Sequence, residues 1–310
     1  MSAPVLAVDV GGTKLAAGVV DPDGRVVSYD RVATPADVDA EGLWRTLEAL
    51  LGKLTAGVGA LAGVGVGCGG PMTWPAAEVS PINIPAWRGF PLRERLRAAY
   101  PGLPVRVHND AVCVAVGEHW RGAGRGRADV LGMVVSTGVG GGLISGGRLV
   151  DGASGNAGHI GHVVVDPDGP PCGCGGYGCL EAVARGPGLA AWAQEQGWRT
   201  GLPATGVELA DDARRGHPVA VAAMRRAGRA LGVAIASATH LCDLEVVAIG
   251  GGLSQAGALL FDPLEEALRR HARMEFARRV SVVPAALGQT AGLVGAAALV
   301  YEGGRYWSAG

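Results

Sequence analysis

The 310-residue sequence contains no uninterrupted apolar run long enough to cross a bilayer, so it predicts no transmembrane helix. Its first residues, MSAPVLAVDV, lack the basic region and long apolar stretch of a secretory signal. A cytoplasmic location is therefore expected. A net excess of either charge is also missing, because 27 basic and 28 acidic residues leave a formal net charge of -1. This balance gives no electrostatic reason to expect nucleic acid or a membrane as a partner.

Glycine, in contrast, is abundant, with 53 residues. Many of these glycines follow apolar strand-like segments directly instead of forming low-complexity linkers. Backbone that turns tightly or approaches a ligand closely favours glycine because it has no Cβ to collide. Several turns that line phosphate or sugar groups are therefore predicted.

Two segments share one plan of apolar strand, glycine turn, strand, turn and strand. They are residues 5–27 and residues 130–150, which lie roughly 125 positions apart. This arrangement predicts a duplicated β-hairpin unit whose two glycine turns clamp phosphates at one cleft. Strands and helices alternate elsewhere, with one long helix predicted over 180–196, so the fold class is α/β.

A third glycine-rich segment, Gly158–Glu181, concentrates metal-binding side chains. The spacing H-x9-C-x-C-x4-C defines what we call the Cys3His cluster: His162, Cys172, Cys174 and Cys179. Three thiols and one imidazole match the ligand set of a closed, four-coordinate structural zinc site. The alternative of ordinary buried or paired cysteines leaves the histidine unexplained, and Cys172 and Cys174 are too close for an easy disulfide.

Taken together, these motifs resemble the ROK sugar kinases of the hexokinase–actin superfamily. Asp9–Lys14 is similar to the first phosphate motif of that family, and Thr137–Gly142 to the second. His108–Asp110 resembles the segment with the catalytic aspartate, and Ile249–Leu253 the adenosine motif. The Gly158–Glu181 loop resembles the zinc signature. The resemblance implies a two-lobed, hexokinase/actin-like (ribonuclease H-like) fold, with ATP and a small sugar as partners.

The resemblance also implies how the chain is divided. We expect a smaller lobe from residues 1–112 plus 291–310, and a larger lobe with the zinc loop from residues 113–290. ROK repressors carry a DNA-binding region before the first phosphate motif, and here that motif starts at Asp9. The kinase branch is therefore favoured over the repressor branch, and a homodimer is expected.

Phosphoryl transfer to a sugar requires a base, a metal ion and phosphate clamps. Asp110 is the predicted catalytic base, and Asp9 is predicted to lie near Mg²⁺. The predicted ATP-binding residues are Asp9, Gly11, Gly12, Thr13, Lys14, Thr137, Gly138, Gly140, Gly141, Gly250, Gly251 and Gly252. The predicted sugar-binding residues are Asn83, Asn109, Asp110, His159, His162 and Glu181.

His159 decides which sugar the resemblance favours. Glucokinase-like members usually read Glu-x-Gly-His at this place, whereas this sequence reads His159-Ile-Gly-His162. This motif resembles the one in bacterial N-acetylmannosamine kinases, so phosphorylation of the 6-hydroxyl of N-acetylmannosamine is predicted. Two alternatives stay open: a glucokinase, and a sugar-sensing protein that has lost catalysis. Five further histidines receive no role: His108, His119, His217, His240 and His271.

Overall fold

A computed structural model of the protein describes residues 3–201 and 203–308. Its strands are β1 (Val5–Val10), β2 (Lys14–Val20), β3 (Val26–Ala33), β4 (Gly63–Cys68), β5 (Val105–Asn109), β6 (Val130–Val135), β7 (Val139–Ser145), β8 (Arg148–Leu149), β9 (Val246–Gly250) and β10 (Ser281–Pro284). Its α-helices are α1 (Ala40–Thr55), α2 (Leu92–Ala99), α3 (Asp110–Arg121), α4 (Leu180–Ala184), α5 (Gly186–Glu195), α6 (Gly206–Arg214), α7 (Pro218–Cys242), α8 (Ala258–His271), α9 (Ala291–Tyr301) and α10 (Gly303–Tyr306).

The chain divides into two compact units. The first comprises the described residues of Met1–Gly126, Gly142–Gly158 and Gln289–Gly310, and the second those of Arg127–Gly141 and His159–Gly288. The boundary expected after residue 112 falls inside α3, and the lobe limits stay a prediction. Helix α3 packs tightly on α9 within the first unit: a Cβ built on the α9 residue Gly295 would lie 1.6 Å from the carbonyl oxygen of Cys113 in α3.

The sheet of the first unit places the ends of three parallel strands at one edge. Its order is β3-β2-β1-β4-β5, with β1 antiparallel to β2 and parallel to β4, and β4 parallel to β5. Asp9 pairs in register with Gly67, and Gly67 with His108. Because the carboxyl ends of parallel strands share an edge, Asp9 and the start of α3 are brought to the same side of this sheet.

The second sheet has the order β10-β9-β6-β7-β8. β6 and β10 both run parallel to β9, and Val134 of β6 pairs with Gly250 at the end of β9. The chain passes from the second unit to the first within β7. Both predicted hairpin units are present, as β1-β2-β3 and β6-β7-β8, and the predicted α/β fold is confirmed.

The long helix predicted over 180–196 is wrong, because α4 and α5 are separate helices with Arg185 between them. Arg185 has an extended backbone, with ψ 146°, and Pro187 follows at the start of α5. Proline restricts helix continuation but suits a first helical turn. The N–H of Gly186 donates to the carbonyl of Ser136 at 2.8 Å, so the break anchors the turn after β6. Among the described residues, no helix is long and apolar enough to span a membrane.

Candidate functional site

The first glycine turn joins β1 to β2 and packs against the loop that carries Asn83. The N–H of Gly11 donates to the carbonyl of Lys14 at 3.0 Å, and the hydroxyl of Thr34 donates to the carbonyl of Gly11 at 2.7 Å. A Cβ built on Gly12 would lie 2.6 Å from the Cβ of Asn83. Glycine at position 12 therefore allows the predicted phosphate turn and Asn83 to approach each other.

The predicted base lies at the first turn of α3. Asn109 is the N-cap of this helix: its Oδ1 accepts from the N–H of Ala111 at 3.0 Å and of Val112 at 3.4 Å. Asp110 Oδ1 also accepts from the N–H of Ala111, at 2.8 Å. The cap uses the carbonyl oxygen of Asn109, so its amide N–H groups are the part suited to a sugar hydroxyl.

Asp9 lies at the same edge of the sheet, in surroundings that disfavour the ionised form of its carboxyl group. Burial, and then the nearby Asp110, raise the pKa of Asp9 to about 6, while Lys14 acts in the opposite direction. A divalent cation would offset the repulsion between two neighbouring carboxylates. Mg²⁺ prefers oxygen ligands of this kind. Asp9 is thus the residue of this unit that would hold Mg²⁺.

His108, which received no role from the sequence, makes a buried hydrogen bond to a carboxylate. Its Nε2 lies 3.0 Å from Oδ1 of Asp151, and its Nδ1 accepts from the N–H of Asn109 at 2.8 Å. The side chains are only 1% and 7% exposed. The hydroxyl of Ser308 donates to the other oxygen of Asp151. The sequence signal was the position of His108 directly before Asn109, but its acid partner lies 43 residues away.

Replacing Asp151 by asparagine is expected to destabilise the protein by about 2 kcal/mol, because it removes the charge from these hydrogen bonds. Although burial raises the pKa of Asp151, hydrogen bonds from His108 and Ser308 outweigh it and hold this pKa below its ordinary value. The contribution is therefore complete above about pH 4 and is lost only as pH falls through the lowered pKa.

Thermal unfolding of Asp151→Asn should show a melting temperature lower by roughly 3 °C, with the same difference at pH 7 and pH 5. Asp37→Asn, which makes the same change at an exposed position of the first unit, is the control and should leave the melting temperature unchanged. A difference that disappears between pH 7 and pH 5 would contradict the lowered pKa of Asp151.

Two glycine motifs lie together at the edge of the second unit's sheet. The first is the turn Ser136–Gly138, which the N–H of Ser136 closes by donating to the carbonyl of Gly138 at 2.8 Å. The second begins at Gly251, whose φ of 93° and whose approach to the carbonyl oxygen of Val135, 2.3 Å from a built Cβ, both require glycine. Gly140 and Gly141, predicted for the first of these turns, lie within β7.

Glu181, predicted as a sugar ligand, contacts this same turn. It lies in the first turn of α4, and its Oε2 accepts from the N–H of Val139 at 2.9 Å. A Cβ built on Gly138 would lie 2.8 Å from that oxygen, so glycine leaves room for the carboxylate. The contact joins the end of the zinc loop to the glycine turn, and sequence spacing of 42 residues gave no sign of it.

The Cys3His cluster has the geometry of a tetrahedral metal site. Its four ligand atoms all lie within 4.8 Å of one another. The sulfurs of Cys174 and Cys179 are 3.7 Å apart, and Cys172 Sγ is 3.7 Å from His162 Nδ1. Zinc–sulfur bonds of about 2.3 Å place tetrahedral sulfurs about 3.8 Å apart, whereas a disulfide requires about 2.0 Å. The arrangement fits zinc and not a disulfide.

Thiol chemistry in the cluster also fits a cation. Burial, and then hydrogen bonds with Cys174 and Cys172, raise the pKa of the Cys179 thiol to about 12. A metal ion would hold this sulfur as the thiolate at neutral pH. All four positions would be filled by protein, so zinc here would stabilise the loop and would offer no open position for catalysis.

The Gly158–Glu181 loop carries two histidines, His159 and His162, on one short turn. Ile160–His162 is a single turn of 3-10 helix, and a Cβ on Gly161 would lie 2.0 Å from the carbonyl oxygen of Val139. His162 turns Nδ1 to the cluster, which leaves Nε2 as the nitrogen for a second partner. The ring of His159 lies 6.2 Å from that of His162, with 23° between the planes.

Each unit carries a glycine turn at the carboxyl end of a buried strand, after β1 in the first and after β6 in the second, as is typical of phosphotransferases of the sugar-kinase type. The chain belongs to the ROK family, which it matches over residues 5–302. It is an ATP-dependent carbohydrate kinase.

Its relatives carry both of the names expected from the sequence. The chain is 37% identical to a glucokinase of Streptomyces coelicolor, over 96% of this chain and 97% of that protein. It is equally 37% identical to an N-acetylmannosamine kinase of Shigella flexneri, over 95% and 97% of the two chains. The crystal structure of a ROK family glucokinase from Streptomyces griseus in complex with glucose and AMPPNP matches with a TM-score of 0.83 and 38% identity, covering 96% of this chain and 98% of that one.

Proposed function

We propose that this kinase transfers the γ-phosphoryl group of ATP to the 6-hydroxyl of N-acetylmannosamine. The observation that carries the choice of sugar is His159, on the turn that ends at the zinc ligand His162. The identity of the relatives does not separate the two sugars, because it is 37% for both. A glucokinase is the alternative, supported by the Streptomyces relatives.

In the proposed reaction, Asp110 accepts the proton of the 6-hydroxyl while the sugar oxygen forms its bond to the γ-phosphorus. The bond between that phosphorus and the oxygen bridging it to the β-phosphate breaks, and ADP leaves with the electron pair. Mg²⁺, when bound, neutralises charge on the phosphates. Asp9 would hold it, while Lys14, the N–H group of Gly12 and the hydroxyl of Thr13 would bind phosphate oxygens, on a turn that the N–H of Gly11 closes.

Sugar hydroxyls need donors and acceptors that are already fixed in place. In the first unit we assign this role to Asn83, packed on the glycine turn, and to Asn109 and Asp110 at the start of α3. In the second unit we assign it to His159 and His162 on the zinc loop, and to Glu181. The Ser136–Gly138 turn, with Thr137, and Gly250–Gly252 are the proposed ATP contacts of that unit.

The chemistry at position 159 separates an acetamido group from a hydroxyl. An imidazole N–H donates to the carbonyl oxygen of an acetamido group, whereas a carboxylate would repel that oxygen and could bind only the amide N–H of the group. A carboxylate suits glucose instead, because it can accept from two sugar hydroxyls. His159 therefore favours an N-acylated sugar over glucose.

Replacing His159 by glutamate is expected to raise the ratio of kcat/KM for glucose to kcat/KM for N-acetylmannosamine by about tenfold or more. The reason is the exchange of a donor for a charged acceptor at the acetamido position. Coupled measurement of ADP release with both sugars gives the ratio directly. His271→Glu makes the same change at an exposed position of α8 and should leave it unchanged. An unaltered ratio in His159→Glu would place the selectivity elsewhere.

A panel of hexoses and hexosamines tests the proposal as a whole. We expect N-acetylmannosamine to give the highest kcat/KM, measured by ADP release and by the position of the phosphate in the product. Higher turnover of glucose would favour the alternative and leave the kinase activity itself intact. Transfer to a hydroxyl other than the 6-hydroxyl would overturn the assigned regiochemistry.

A cytoplasmic location and a homodimer complete the proposal. The Cys3His cluster supports the first, because its thiols must stay reduced to bind metal, and a cytoplasmic environment keeps them so. The homodimer rests on the family resemblance alone. Size-exclusion chromatography with light scattering gives the oligomeric state of the purified chain.

A further inference from the structure

A cavity of about 470 Å³ lies in the first unit, and none of the predicted ATP or sugar residues lines it. Its wall combines three segments: α2, the residues from Leu103 to the start of β5, and the C-terminal segment from Gly303 to Ser308. Cavities of several hundred Å³ are the size that small organic ligands occupy.

The wall of this cavity is strongly cationic. Three arginines line it, namely Arg93, Arg97 and Arg106, and none of the described residues that line it is acidic. Burial, and then repulsion from Arg97 and Arg106, lower the pKa of Arg93. The whole chain has a formal net charge of -1, so this concentration of positive charge is local. Like charges gathered at one place lower their free energy when an anion binds among them.

Arg93 and Arg106 are held in place by the backbone. Arg93 donates from Nε to the carbonyl of Val105 and from Nη1 to that of Pro75, both at 3.0 Å. Its guanidinium also lies 5.1 Å from the ring of Trp307. Arg106 donates to the carbonyl of Leu299 near the end of α9. Ordered guanidinium groups lose little conformational entropy on binding a ligand.

Glycine at position 303 makes this wall possible. A Cβ built there would lie 1.5 Å from Nη1 of Arg106, so any other residue would displace the guanidinium. Gly304 differs, because a Cβ built on it meets no heavy atom within 4 Å. A side chain introduced at Gly304 therefore fits without disturbing the arginines.

Arg97 differs from Arg93 and Arg106, because no backbone carbonyl of the described residues holds its guanidinium group. Within residues 3–201 and 203–308, it makes no hydrogen bond or ion pair, and its side chain is exposed at the cavity. Ser308, also on the wall, uses its hydroxyl on Asp151. The same carboxylate lies 3.0 Å from Nε2 of His108.

We propose that this cavity binds a small, multiply charged phosphate compound at a site separate from the phosphotransfer centre. Guanidinium groups offer paired N–H donors that match two oxygens of one phosphate group. Three of them around one cavity suit a ligand with at least two negative charges. The size of the cavity favours a small phosphate compound over an extended polymer.

Inorganic pyrophosphate is the probe, titrated by calorimetry into the full chain saturated with Mg²⁺ and a non-hydrolysable ATP analogue. The analogue occupies the nucleotide site, and a titration of pyrophosphate into the same Mg²⁺ and analogue without protein gives the heat of Mg²⁺ chelation. The heat that remains after this blank is subtracted reports a second site. We expect saturable binding that Arg97→Gln weakens by about tenfold or more. Gly304→Glu, which adds a carboxylate and keeps all three arginines, should weaken it as strongly. Arg45→Gln, at an exposed position of α1, is the control and should bind as the wild type does.

Absence of saturable binding in the saturated enzyme would overturn the proposal, as would equal affinities for the wild type, Arg97→Gln and Gly304→Glu. Binding of a single-stranded oligonucleotide that depends on Arg97, without binding of pyrophosphate, would replace the small ligand by a polymer. Neither readout uses the sugar substrate, so failure of the proposed sugar specificity leaves this test valid.

Discussion

Asp110→Asn is expected to lower kcat for sugar phosphorylation by about 10²- to 10⁴-fold, the range that a positioned general base contributes. The asparagine is isosteric, and its carbonyl oxygen can still accept from the N–H of Ala111, as Asp110 Oδ1 does at 2.8 Å. The start of α3 should therefore stay intact while the proton acceptor is lost. Steady-state ADP release gives kcat, and calorimetric titration of the sugar gives its affinity.

The sugar affinity of Asp110→Asn should change by only a few-fold, because the amide keeps one acceptor and gains a donor. Asp39→Asn is a matched control, since Asp39 also accepts a backbone N–H at a helix start, from Gly42 at 2.7 Å. If Asp110 only capped α3, both variants would retain activity. Full residual turnover in Asp110→Asn would overturn its assignment as the base.

The hairpins and the metal cluster were predictable because their signals are local. Each hairpin is a run of apolar strands broken by glycine, and register within it follows from the turn. The Cys3His cluster spans eighteen residues from His162 to Cys179, and ligand chemistry alone limits what that spacing can bind.

Contacts between distant segments were not predictable. The pair of His108 and Asp151 and the bond of Glu181 to Val139 join residues about 40 positions apart, and tertiary packing alone brings them together. The break at Arg185 is different, because it did have a local signal: Pro187 suits a first helical turn and not a helix interior. The bond to the carbonyl of Ser136 is the long-range part that the sequence did not reveal.

The cavity lined by Arg93, Arg97 and Arg106 was also not predictable from the sequence. Arg93 and Arg97 share a helix face at i and i+4, which the sequence alone would assign to a solvated surface. Trp307 and the glycines of α10, some 200 residues later, convert that face into a concave wall. Charge in a sequence can be counted, but whether it is enclosed depends on the fold.

Removal of zinc is the second change for which a large effect is expected. Cys174→Ser should lower the zinc content of the purified protein from one ion per chain and lower the melting temperature by roughly 5 °C or more. Cys174 is exposed, so the substitution creates no cavity and the effect reports the lost metal ligand. Metal analysis by mass spectrometry and thermal unfolding give the two quantities on one preparation.

The loop that zinc would stiffen carries His159, and it ends at Glu181 with its bond to Val139. Loss of zinc should therefore raise KM for the sugar as well as lower stability, because both ends of the loop lose their fixed positions. Cys242→Ser, a half-buried cysteine at the end of α7 and outside the cluster, should keep zinc, melting temperature and KM. Wild-type protein purified without zinc, or Cys174→Ser with full zinc and an unchanged KM, would show that the loop does not depend on the metal.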